Sequence, residues 1–149
     1  MRKEEQSEIT RGALSQEVEI LIPTSIFCNR RLSVLEALVI FLREQHRLRF
    51  SEIAEHMNRD QRNVWAAYYN GLEKDPEAFL PRGKCIFFPL GVVRDRSLSI
   101  FESIVEHLRE ETRLRNADVA RLLERDPRTI STVYNRAMGK REEQGGGEP

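Results

Sequence analysis

The chain has 149 residues, 32% of them charged, and its 24 basic and 24 acidic side chains cancel to a formal net charge of zero. A chain of that size holds one ordinary domain or two minimal ones, and the composition is that of a soluble, helix-rich protein. No stretch approaches the length of a membrane span, and the polar start Met1-Arg2-Lys3-Glu4-Glu5-Gln6 lacks the apolar core of a secretory signal, so a cytoplasmic protein of prokaryotic type without a membrane partner is expected.

Residues 1–17 show no sustained apolar period and read as a flexible arm. Val18 to Ile22, closed by Pro23, is β-prone and reads either as a short strand or as an extended cover over the core. Ser33-x-x-Glu36 is a capping box, in which hydroxyl and carboxylate each satisfy a first-turn amide, and it predicts a helix over 33–46. Leu35, Leu38, Val39 and Leu42 give that helix one apolar stripe. A short helix follows over Phe50 to Met57, with Ile53, Ala54 and Met57 inward; Ala54 is small enough for a steep helix crossing. After a break at Asn58-Arg59, Asp60 caps a third helix that buries Val64, Ala67 and Tyr68.

Two prolines and a glycine mark residues 75–83 as a linker, with Phe79 and Leu80 pinning it to the surface. The pattern then returns with a constant offset of 66, residues 88–140 matching 22–74 without a gap and with about a third of the pairs identical. Cys85 to Phe88 with Pro89 repeats the β-prone run. Because the two runs are equivalent, they can pair with each other or with those of a second molecule. Ser99-x-x-Glu102 repeats the capping box, Ala120 repeats Ala54, and Asp126 caps the last helix with Pro127 at its first position. Residues 141–149, with Gly145-Gly146-Gly147, read as a disordered tail.

The charge is unevenly placed: 8 − 6 gives +2 for residues 22–74, and 11 − 8 gives +3 for residues 88–141, with acidic ends outside both. Cys28 and Cys85 have no Cys or His partner at ligand spacing, so reduced thiols, no metal and no cofactor are expected. The chain has no Gly-rich phosphate loop and no nucleophile with a base at usable spacing, which argues against an enzyme.

Leu32-Ser33-x-x-Glu36, Ile53-Ala54, the following turn and Val64 with Ala67 recur as Leu98-Ser99-x-x-Glu102, Val119-Ala120, Ile130 and Val133. In these residues each copy resembles the helix-turn-helix family, specifically the region-four DNA-binding domain of bacterial sigma factors and the related output domains of response regulators. The resemblance covers about 40 residues of each copy. It implies an all-α fold of two tandem three-helix helix-turn-helix domains, over 18–74 and 84–140. The family carries Gly in the turn where this chain has Asn58 and Glu124, and Ser or Thr before the second helix where it has Arg49 and Arg115. These departures predict a turn one residue off the standard geometry.

The resemblance further implies a sequence-specific regulator of transcription, its third helices entering the major grooves of double-stranded DNA. In the first copy Arg59, Arg62, Asn63, Ala66 and Tyr69 would contact DNA; in the second Arg125, Arg128, Thr129, Ser131, Thr132, Asn135 and Arg136. Arg can bond a guanine edge with two donors, Asn can pair with adenine, and Thr or Ala can touch a thymine methyl. Arg47, Arg49, Arg113 and Arg115 recur near helix ends and suit phosphate contacts that fix register. Ile40, Phe41 and Trp65 have no apolar counterparts in the second copy and are interface candidates for a homodimer or another protein. They motivate the alternative, also favoured by the zero net charge, of a protein-interaction adaptor with weak or no DNA binding.

Overall fold

The structure, a computed structural model, describes residues 19–77 and 85–146; the expected arm, most of the linker with Phe79 and Leu80, and the last three residues lie outside them. The fold is mostly helical. β1 (Leu21–Pro23) leads into a 3-10 turn, Thr24–Cys28, and then α1 (Val34–Glu44), α2 (Phe50–Met57) and α3 (Gln61–Lys74). β2 (Phe87–Pro89), a 3-10 turn over Leu90–Arg94, α4 (Ile100–Glu110), α5 (Asn116–Leu123) and α6 (Pro127–Gly146) repeat the series. Among the described residues no helix is long and apolar enough to cross a membrane.

Local chemistry sets the helix ends. Ser33 Oγ accepts from Glu36 N at 3.1 Å while Glu36 Oε1 accepts from Ser33 N at 2.9 Å, and Ser99 with Glu102 reproduces the pair at 3.1 and 2.8 Å. A lysine from the end of the third helix closes each box, Lys74 on Glu36 at 2.8 Å and Lys140 on Glu102 at 2.7 Å. Its ammonium and the first-turn amides hold both carboxyls below the usual carboxylate range, against the opposing effect of burial.

The two strands pair with each other, antiparallel, with Ile22 opposite Phe88. Both side chains are fully buried and join one continuous core that takes in Phe27, Leu38, Leu42, Ile53 and Met57 from the first copy and Leu90, Ile104, Leu108, Val119 and Ile130 from the second. The two copies thus share one core, in keeping with the small size of units of about 55 residues.

Two expectations are corrected. Residues 141–146 are the end of α6 and not a disordered tail: the Arg141 guanidinium donates to both Glu106 carboxylate oxygens at 2.8 Å and to Asp95 Oδ2 at 2.8 Å, which fastens the helix end. Asn58 (φ 54°) and Glu124 (φ 51°) both occupy the left-handed region, although neither is glycine. Ile40 is not an interface residue. It is 1% exposed and lies over Gly71, where a Cβ would stand 2.5 Å from Ile40 Cδ1 and 3.2 Å from Glu36 Cβ. In the second copy Ala137 replaces that glycine and Glu106 replaces the isoleucine, reaching out to Arg141 instead.

Two stability predictions follow from these positions. Glu124→Gly relieves a left-handed non-glycine residue and should raise stability by about 0.5–1 kcal/mol after the added freedom of the unfolded chain is counted; denaturant unfolding checks it, and a loss would contradict the strain. Gly71→Ala should lower stability by about 1 kcal/mol, overpacking outweighing the gain in helix propensity. Ala137→Gly should also destabilise, by about 1 kcal/mol, since it loses a fully buried methyl and the helix propensity of alanine.

Candidate nucleic-acid interface

In each copy the short second helix ends in a left-handed residue and the chain turns into the third helix. Arg59 N donates to Ala54 O at 3.0 Å, and Arg125 N to Ala120 O at 2.9 Å, closing the corner. Asp60 Oδ1 then accepts from Arg62 N at 2.7 Å, and Asp126 Oδ1 from Arg128 N at 2.7 Å, starting α3 and α6. At the other end of α2 and α5, the Glu52 and Asp118 carboxylates accept from the amides of Arg49 and Arg115, so an acidic third residue caps a helix whose first position has no hydroxyl.

The third helices present one face to the core and the other to solvent. Val64, Ala67, Ile130 and Val133 are buried, while the Tyr68 and Tyr134 rings are half-buried with hydroxyls donating to Glu44 at 2.7 Å and Glu110 at 2.9 Å. The outward set of the first copy, Arg62, Asn63 and Tyr69, is exposed, with Ala66 half-buried. In the second copy Arg128, Thr129, Thr132, Asn135 and Arg136 are exposed and Ser131 is half-buried. Neither the Arg62 nor the Arg128 guanidinium has an ion pair or hydrogen bond among the described residues. Arg47, Arg49, Arg113 and Arg115 are exposed as well, Arg49 and Arg115 leaning on Glu52 and Asp118 at 3.4 and 3.3 Å.

Arg59 and Arg125 depart from this set. Arg59 donates to Leu98 O at 3.2 Å, and Arg125 to Phe27 O and Leu123 O at 2.8 Å each, so both bind main-chain carbonyls across the seam instead of facing outward. Burial pulls both guanidinium groups below their usual range, and a second arginine beside each, Arg96 near Arg59 and Arg30 near Arg125, adds to the effect. Arg30 and Arg96 are exposed. They occupy equivalent positions of the repeat, a recurrence visible in the sequence. Asn70, at the position of Arg136, is exposed as well.

The copies differ in what surrounds this face. In the first, Trp65 (53% exposed) and Tyr69 (47% exposed) lie with ring centroids 4.8 Å apart, and Phe50 and Tyr68 extend the cluster. Phe41 is half-buried and edge-on to His46 at 5.3 Å. The second copy has Ser131, Asn135 and Asn116 at the positions of Trp65, Tyr69 and Phe50. Cys28 donates to Leu122 O at 3.2 Å; burial and the neighbouring Glu124 push its thiol up to about 11, which keeps it protonated and unreactive.

No protein family, no curated protein and no solved structure matches this chain.

Proposed function

We propose that each copy is a helix-turn-helix unit of the kind found in region four of bacterial sigma factors, and that the chain is a cytoplasmic, sequence-specific double-stranded DNA-binding regulator of transcription. One observation carries the reading. Directly after the left-handed corner, α3 and α6 both leave an outward face carrying an arginine, Arg62 or Arg128, without a partner among the described residues, while the lysines at the far ends of the same helices, Lys74 and Lys140, are held in ion pairs. Such guanidinium groups beside Asn63, Thr129, Thr132 and Asn135 offer the donors and acceptors that base edges accept.

Arg47, Arg49, Arg113 and Arg115, with Arg30 and Arg96, then supply phosphate contacts. Arg59 and Arg125 act one step back, fixing each corner to the opposite copy. Selection from a pool of random-sequence duplexes by the full chain tests the reading. Enrichment of a defined sequence is expected, and a pool left unenriched would overturn it.

The exposed Trp65–Tyr69 pair supports a second reading for the first copy, as the contact surface of a protein adaptor. Under that reading the mass in solution exceeds that of the monomer or a bound protein partner is recovered, and Trp65→Ser abolishes the association.

A further inference from the structure

The two copies are related by an internal two-fold axis and not by translation. Ile22 pairs with Phe88, its own equivalent, while Leu21 pairs with Pro89 and Pro23 with Phe87, the exchange that an axis through the central pair requires. The flanking bonds obey the same axis: Thr24 N donates to Ile86 O at 2.9 Å, and Leu90 N to Ile20 O at 2.8 Å. The larger contacts are reciprocal too. α2 packs on the 3-10 turn of the second copy, α5 packs on that of the first, and α1 meets its own equivalent, α4. An interface in which each side presents the same patch to the other is that of a two-fold dimer, built here inside one chain.

The axis also sends a loop of each copy to the corner of the other. Arg59, one residue before the cap of α3, holds Leu98 O in the loop that carries Arg96; Arg125, one residue before the cap of α6, holds Phe27 O in the segment leading to Arg30. Arg96 is thereby brought near Arg59, with Asp95 beside it, and Arg30 near Arg125, with Glu124 beside it. Both loop arginines are exposed, so each can reach a phosphate laid against the corner.

Resting on the DNA-binding reading, we propose that the target is an inverted pair of unlike half-sites, each gripped by the third helix of one copy and a loop arginine of the other: α3 with Arg96, α6 with Arg30. A two-fold protein places its two reading helices in opposite senses on one duplex, with half-site centres about one helical turn, or a multiple of it, apart. A translational duplication would require a direct repeat. The unlike outward faces make the two elements unlike in sequence, and the axis sets their relative orientation.

The test is selection with the full chain and with a symmetrised variant, Asn63→Thr, Trp65→Ser, Ala66→Thr, Tyr69→Asn and Asn70→Arg, which gives α3 the outward face of α6. The wild type should enrich two different elements, and the variant should enrich one of them twice in inverted orientation. A doubled element in direct orientation, or a single element, would overturn the proposal while leaving DNA binding intact; no enrichment with the wild type would remove both. The wild type also provides a check that needs no variant. Reversing one selected element within a synthetic duplex, at fixed spacing, should weaken binding by about tenfold or more, the loss of one half-site's base contacts. Equal or tighter binding after reversal would contradict the two-fold arrangement.

Discussion

Phe88→Ala is expected to cost about 3–5 kcal/mol, the range for truncating a buried aromatic side chain, and to destabilise both copies together. Phe88 is fully buried, lies opposite Ile22 at the internal axis, and has its ring 6.1 Å from that of Phe27 in the first copy and 6.3 Å from His107 in the second. The cavity therefore opens in the part of the core that the copies share. Trp65, the chain's single tryptophan, reports on the first copy alone, whereas the helical circular-dichroism signal reports on both. Urea midpoints followed by the two probes should fall together, as in a single cooperative unit. A Trp65 transition that stays in place while part of the helical signal melts early would show two independent domains.

Arg62→Ala combined with Arg128→Ala should cost about 2–6 kcal/mol of binding to the selected duplex, at roughly 1–3 kcal/mol for each bidentate contact, and change unfolding stability by less than about 0.5 kcal/mol. The small second figure follows because neither guanidinium has a partner among the described residues. Arg59→Ala with Arg125→Ala should behave in the opposite way. Those groups hold carbonyls across the seam, so their loss should lower stability by about 1–2 kcal/mol each, and binding should weaken only as the corners loosen. Full affinity after the Arg62 and Arg128 substitutions would remove these residues from the interface.

The parts of the fold that local chemistry specifies were legible in the sequence. Capping boxes, aspartate caps and apolar periods act within a few residues, so the starts of all six helices and the inward residues of α3 and α6 could be read off the chain. The pairing of equivalent β-prone runs was also open to the sequence as one of three alternatives, beside pairing with a second molecule and an extended cover over the core. What escaped was set at long range. Nothing near Arg125 signals that it reaches a carbonyl 98 residues away, and Ile40 reads as a surplus apolar residue until Gly71 is seen beneath it. Comparing the copies with each other would have recovered part of this: Ile40 with Gly71 becomes Glu106 with Ala137, a paired change of the kind that neighbours make. The glycines near the C-terminus hid the end of α6, whose anchor, Arg141, is recognisable only once Asp95 and Glu106 stand opposite it.

The most direct test of DNA recognition is the affinity of the full chain for a mixed-sequence duplex at about 50 and about 200 mM salt, where each neutralised phosphate contributes close to one unit to the slope of log affinity against log salt. With exposed arginines at Arg30, Arg47, Arg49, Arg96, Arg113 and Arg115 beside the two outward faces, the account predicts binding at the lower salt that falls steeply at the higher. No binding at the lower salt, or binding unchanged between the two, would contradict it.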